Sequence, residues 1–236
     1  MNLVAIHQPN FLPWLGYFDK IRQADVFVVL DNAQYSRGSW TNRVKLLVSG
    51  APAWVTVPVV RAHDGFKTIA ETQVDDHGPW RDKVLKTIAL NYGRAPHFDT
   101  IFPWLSELIQ SSITAIGAYN LHAIRAITEA IHIDAEKLRL ASGLAADGRA
   151  TTLLASLVRA AGGDTYLAGG GASGYQDDAA FTEAGLGVRY QTFRHPTYSQ
   201  FNSTEFVAGL SVVDALMNCG FDGTADLLDR EPSLHS

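Results

Sequence analysis

The chain has 236 residues, of which 47% are hydrophobic and 18% charged, with a formal net charge of −5. That length allows one or two domains, and so apolar a composition excludes a disordered chain. A single cysteine, Cys219, excludes an internal disulfide framework and a Cys-rich zinc site, and the acidic balance disfavours a long duplex-binding surface.

Leu3 to Ile6 is a short apolar run that stops at His7-Gln8-Pro9-Asn10, the pattern of a buried strand ending in a turn. Trp14 to Gln23 then reads as a helix, and Val26 to Leu30 as a strand buried on both faces, as in a parallel sheet. Together they make a strand–helix–strand unit. Val44–Val48 and Trp54–Val60 read as a hairpin around Ser49-Gly50-Ala51-Pro52, and Thr68–Val74 as a further strand. Helical periodicity covers Trp80–Asn91, Phe98–Glu107 and Ile113–His132. A second α/β half begins with a strand at Lys137–Ala141. It continues with a helix at Ala150–Ala161 that stops on Gly162-Gly163, and a strand at Thr165–Ala168. A helix at Ala179–Ala184, a strand at Val188–Phe193 and a helix at Phe206–Asn218 complete it. The expected fold is α/β: a parallel Rossmann-like sheet flanked by helices, with a central β-hairpin and helical insertion. As domains, this predicts one unit over residues 1–221 with an insertion at about residues 44–133, and a loosely held acidic tail over residues 222–236. The longest uncharged stretch, Leu108–Ile124, is polar and too short to span a membrane, and the N-terminus lacks a basic signal-peptide start. The expected address is the cytoplasm.

Several polar clusters follow predicted strands, where open α/β sheets bind ligands. His7-Gln8-Pro9-Asn10 ends the first strand, and Asp31-Asn32-Ala33-Gln34-Tyr35 ends the second. If those strands are neighbours, Asp31 could orient His7 as a general base. The plain alternatives are a structural histidine beside a proline turn and an aspartate capping a loop. In Trp40-Thr41-Asn42-Arg43-Val44-Lys45, strand alternation puts Arg43 and Lys45 on one face, where they could hold a phosphate or carboxylate or simply be solvated edge charges. Trp40 could stack on a ring or fill core. Residues 1–50 are the mildly basic part of the chain, with five Lys/Arg against three Asp/Glu, whereas residues 134–236 hold seven against thirteen.

Gly169-Gly170-Gly171 and Gly174-Tyr175 follow another strand, and a glycine run lets backbone N–H groups approach an anion. It is neither a Walker loop nor a dinucleotide fingerprint, and a flexible turn is its alternative. His195-Pro196-Thr197-Tyr198-Ser199-Gln200 is a further loop at the same edge, and Asp214 with Asn218 reads as a buried polar pair that anchors loops. The scattered His63, His77, His97 and His132 lack metal-ligand spacing, no metal-ligating set is assigned, and no cofactor is specified.

The opening His7-Gln8-Pro9-Asn10-Phe11-Leu12-Pro13-Trp14-Leu15-Gly16-Tyr17-Phe18 resembles the signature of the WbqC-like proteins. So do Leu30-Asp31 with Gln34-Tyr35, Trp40-x-Asn42-Arg43, Thr56-Val57-Pro58-Val59, Tyr166-Leu167-x-Gly169, Gly174-Tyr175, Tyr198-x-Gln200 and Ser211-x-x-Asp214. Val44 and the glycine triplet depart from the pattern. The resemblance implies a role in bacterial O-antigen or polysaccharide clusters, where glycine or aminoacyl transfer onto an amino sugar has been suggested for a relative. The helix start also resembles that of nucleotidyltransferases and pantothenate synthetases, but aromatic residues stand where those have histidines, so only the fold carries over.

The leading expectation is an amide-forming acyl or aminoacyl transferase acting on a small amine, such as an amino-sugar nucleotide, with an activated acyl donor. His7 or Asp31 would take the amine proton; Gln8, Asn42 or glycine-loop N–H groups would stabilise the oxyanion; Arg43 and Lys45 would bind a phosphate. Asn10, Trp14, Tyr35, Trp40, Tyr175, Tyr198 and Gln200 would complete the substrate site. An ATP-dependent carboxylate–amine ligase or nucleotidyl-transfer-like enzyme, and a non-catalytic binding protein, stand as alternatives.

Overall fold

The computed structural model describes residues 1–60, 66–170 and 178–229. Strand β1 (Leu3–His7), helix α1 (Leu15–Gln23) and strand β2 (Val26–Val29) form the opening unit. Strands β3 (Arg43–Val48) and β4 (Ala51–Thr56) make a separate antiparallel hairpin, followed by helices α2 (Trp80–Tyr92), α3 (Phe98–Ile109) and α4 (Ile116–Ala130). The chain then returns to the sheet as β5 (Leu138–Leu140), α5 (Ala150–Ala160), β6 (Thr165–Ala168), α6 (Asp178–Glu183), β7 (Gly187–Tyr190) and α7 (Val212–Asp229).

The five-stranded sheet has the order β5-β2-β1-β6-β7, with every pairing parallel. β1 lies at its centre: Val4 faces Val26 on one side and Tyr166 on the other. Both faces are covered, which is why the central strands β2, β1 and β6 are almost wholly apolar, whereas the edge strands β5 and β7 carry Arg139 and Arg189. Leu3, Ala5, Phe27, Val29 and Leu167 pack with α1, the hairpin, the inserted helices and α7. Val4, Ile6, Val28 and Tyr166 pack with α5 and α6 through Ala155, Leu157, Val158 and Phe181. The fold is therefore α/β and Rossmann-like, in three layers.

The hairpin loop is two residues long, Ser49 and Gly50, both at positive φ (50° and 80°). That geometry matches the twist of an antiparallel pair and draws Ala51 and Pro52 into the strand, where the sequence pattern predicts them in the turn. Thr68–Val74 is a tight turn rather than a strand: only Thr68, Gln73 and Val74 make isolated bridges, to Gln34, Ala115 and Val59. The last helix starts at Val212, not at Phe206. Gly209 takes φ 74°, and Ser211 Oγ accepts the amide of Val213 at 3.2 Å, closing the open first turn.

That helix also runs on through the segment expected as a loose tail. It kinks at Gly220 (φ 73°), where a Cβ would stand 2.7 Å from His97 Nδ1, and continues to Asp229. Thr224, Leu227 and Leu228 are buried, while Asp222, Asp226 and Asp229 share the outer face. The acidic residues thus mark one side of an amphipathic helix rather than an unfolded end.

Candidate functional site

Along the sheet, chain order reverses between β1 and β6: the strands following β1 build one way, and β6 with β7 the other. A parallel sheet leaves a crevice at such a switch point, outside the strands' carboxyl ends. Here it is a cleft of about 600 Å³, within the size range of small-molecule sites. β1 delivers His7 to it, and β6 leads into Gly169 and Gly170. Helix α1 contributes Trp14 at its start and Gly16, Tyr17 and Lys20 from one face of its first turns. The loop after β7 closes the far wall with Gln191, Phe193 and His195.

Gly16 is required by close approach: a Cβ there would lie 2.7 Å from Trp14 Nε1 and 2.8 Å from the Phe193 ring. Gln191 Nε2 donates to Gly16 O at 2.8 Å and to Asp19 Oδ2 at 2.7 Å, tying the far wall to α1. Asp19 itself is buried and also accepts from Arg22 and Gln23, so this side of the cleft is rigidly held.

The His7 ring packs edge-on against Tyr17 and Trp14, with centroids 4.9 and 5.8 Å away. Its Nδ1 lies 3.1 Å from Gln8 O. A carbonyl only accepts, so this contact assigns the proton to Nδ1 and leaves the lone pair on Nε2. Tyr17 OH donates to the same carbonyl at 3.1 Å. Burial, helped by the neighbouring Lys20 ammonium, pushes the imidazole down to about 4, so it is neutral at pH 7. Lys20 is buried, donates to Ile6 O at 3.0 Å and lies 5.8 Å from the centre of the Tyr166 ring. Burial lowers it to about 8. Burial likewise lowers His195 and raises Tyr166 to about 12. The cleft thus pairs a neutral base with an ammonium close to losing its proton, which equips it for proton transfer next to an anionic group.

The expected His7–Asp31 pair does not form. Asp31 stands at the end of β2, but both its oxygens are taken by Ser142, the amide at 2.9 Å and the hydroxyl at 2.6 Å. It joins β2 to the turn after β5, because a buried carboxylate takes the nearest donors. Tyr198 and Gln200 are also drawn elsewhere: Tyr198 OH donates to Asp214 Oδ2 at 2.7 Å, and Gln200 Nε2 donates to the same oxygen at 2.8 Å. Tyr92 OH donates to Asp214 Oδ1 at 2.9 Å. Asn42 is buried, with Nδ2 donating to Val57 O at 3.0 Å. Asn10 is buried away from the cleft lining, and Tyr35 is half-buried beside the Thr68 turn, its amide donating to Lys67 O. Gln8 serves through its backbone carbonyl. Trp40, Arg43 and Lys45 lie outside the cleft, around the hairpin. Tyr175 lies outside the described residues.

Of the residues expected in the substrate site, His7, Trp14, Gly169 and Gly170 line the cleft together. Lys20, Tyr17, Gln191 and Phe193 complete it without having been singled out, and His195 arrives from the loop expected at this edge. Lys20 carried a readable signal: it falls four residues after Gly16 and three after Tyr17, on the apolar face of α1, where a lysine is out of place unless used.

The strand order defines a Rossmann-like α/β protein with a cleft at its switch point. More narrowly, the chain belongs to the WbqC-like protein family, whose model matches residues 8–226. It is 31% identical over 223 residues to the uncharacterized protein Rv1507c of Mycobacterium tuberculosis, a match covering 93% of this chain and 95% of that one. No solved structure matches. Among the described residues, no helix is long and apolar enough to cross a membrane.

Proposed function

We propose that the protein is a transferase that joins an activated acyl group to a small amine as an amide, in the switch-point cleft. The observation that carries this reading is the neutral His7, with its Nε2 lone pair unengaged, beside the buried Lys20. The amine nitrogen attacks the acyl carbon, the C–N bond forms, and the bond to the leaving group breaks. His7 Nε2 takes the proton the amine must lose and returns it to the leaving group. The Lys20 ammonium, with N–H bonds beyond the one given to Ile6 O, offsets the charge on the carbonyl oxygen. Asp31 supports the edge through Ser142 rather than touching substrate. A polysaccharide setting with an amino-sugar acceptor is the finer form of this reading, supported by family membership alone.

The test begins with thermal shifts against acyl donors and amines, followed by product analysis for the pairs that stabilise the fold. His7→Gln should lower turnover about 100- to 10,000-fold with the melting temperature nearly unchanged. Lys20→Met should lower it too, and should raise the His7 pKa, read by NMR titration of the imidazole, because the neighbouring positive charge is gone. Full turnover in His7→Gln would exclude His7 as the base. A second reading, ATP-dependent ligation, draws on the switch-point position, where nucleotides bind in related sheets. Stabilisation by ATP-Mg²⁺ with pyrophosphate release would favour it.

A further inference from the structure

The hairpin is apolar on one face and something else on the other. Val44, Leu46 and Val55 point into the core. The register sets Lys45 opposite Trp54 and Arg43 opposite Thr56, so Arg43, Lys45 and Trp54 share the outer face. Arg43 lies 4.2 Å and Lys45 5.2 Å from the centre of the Trp54 ring. The guanidinium also runs along Gly38, where a Cβ would come within 3.6 Å of it. Its Nε has no hydrogen-bond partner, and among the described residues neither cation has a carboxylate within 4 Å. Two cations fixed in place without a counter-charge lie in the most basic stretch of an acidic chain.

Indoles lead from this face back to the cleft. Trp54 meets Trp40 at 5.0 Å between centroids, Trp40 meets Trp14 at 5.6 Å, and Trp14 meets His7 at 5.8 Å. Trp54 is 42% exposed and Trp40 37%, unusual for the residue with the most apolar surface to hide. The hydrogen bond from the Phe11 amide to Trp40 O, 2.9 Å, holds the Trp40 backbone against the opening turn.

We infer that this outer face binds a nucleoside diphosphate moiety of the ligand whose other end enters the cleft. A flat ring suits the exposed indoles, and neighbouring phosphates suit two cations about 7 Å apart along one strand face. Arg43, already stacked and unable to lose its charge, would bind one phosphate through its fork, and Lys45 the other as a point charge. Only the claim that the far end reacts rests on the transfer reading; binding on the hairpin face does not. A nucleoside diphosphate could belong to a coenzyme A thioester donor or to a nucleotide-activated acceptor, and the same site chemistry serves both.

The experiment is equilibrium binding, by calorimetry, of ADP, coenzyme A, UDP, CDP and GDP, with each free nucleoside as control. At least one should bind tenfold or more tighter than its nucleoside, and should weaken as salt rises. Selectivity for ADP and coenzyme A would identify the donor; selectivity for the others would identify the acceptor. Arg43→Gln with Lys45→Gln should weaken that binding at least tenfold, and Trp54→Ala should weaken it while Trp54→Phe largely restores it. Circular dichroism and melting temperature verify that these variants fold. His7→Gln should leave the binding unchanged, so loss of amide formation there and loss of binding on the hairpin are read separately. Failure of all five compounds to outbind their nucleosides, or equal affinity in the Arg43/Lys45 double variant, would overturn the inference.

Discussion

Two buried polar centres in this molecule look alike by composition and differ in how they are satisfied. Around Asp214, Tyr92, Tyr198 and Gln200 all donate to one carboxylate, and Tyr92 OH in turn accepts the amide of Leu47 at 3.0 Å. The centre is closed, and it ties β3, α2, the loop before α7 and α7 itself together. Around His7 and Lys20, each side chain has a single hydrogen bond, to Gln8 O and Ile6 O, and the remaining polar capacity faces an open cleft. A saturated network spends its polarity on rigidity, whereas an unsaturated one beside a cavity retains polarity for a ligand.

The sharpest way to break that contrast is Asp214→Ala. It strands the buried Tyr92 hydroxyl and the half-buried Tyr198 hydroxyl and leaves Gln200 Nε2 only Val207 O, and we expect a loss of about 3–5 kcal/mol, read from the urea midpoint. A loss below about 1 kcal/mol would mean the network is not the pin it looks like.

Next comes the acid limb of stability. His7 drops from an ordinary value of 6.5 to about 4 on folding, so the folded state resists its protonation. The stability this lends is complete above pH 6.5 and is lost as pH falls through 4, by about 3 kcal/mol. His7→Gln should remove that part of the decline: matched to wild type at pH 7, the variant should become the more stable of the two as pH is lowered to 4. Parallel curves would show that His7 is not held neutral.

The smallest expected effect concerns Asp31. Ser142→Ala removes one donor but leaves the Ser142 amide in place, and should cost about 1 kcal/mol of stability. Because Asp31 stands apart from the cleft, turnover with an identified substrate pair should hardly change. A large loss of turnover at full stability would return Asp31 to the reacting centre.

The βαβ opening and the second α/β half were legible because buried parallel strands are written as continuous apolar runs between turn residues. Leu3–Ile6, Val26–Leu30 and Thr165–Ala168 fall within a residue of their elements. The carboxyl ends of Leu3–Ile6 and Thr165–Ala168 mark the sheet edge where the cleft lies. What could not be read was which polar residue each carboxylate would choose: Asp31 finds Ser142, 111 residues away, and Asp214 finds Tyr92, 122 residues away. Such partners are set by packing of distant segments, which periodicity does not encode. Residues 222–229 were misread for a related reason, since aspartates on one side of a helix give the same composition as a solvated tail.

The central position of β1 has a consequence for how the protein comes into being. Leu3 pairs with Thr165, and the wall opposite His7 is built from residues 191–195. During synthesis β1 leaves the ribosome long before β6 and must wait with one edge unpaired until β6 has followed. Contacts so distant in sequence form slowly. β1 is thus long exposed to wrong partners, and the cleft exists only once the loop after β7 has been made.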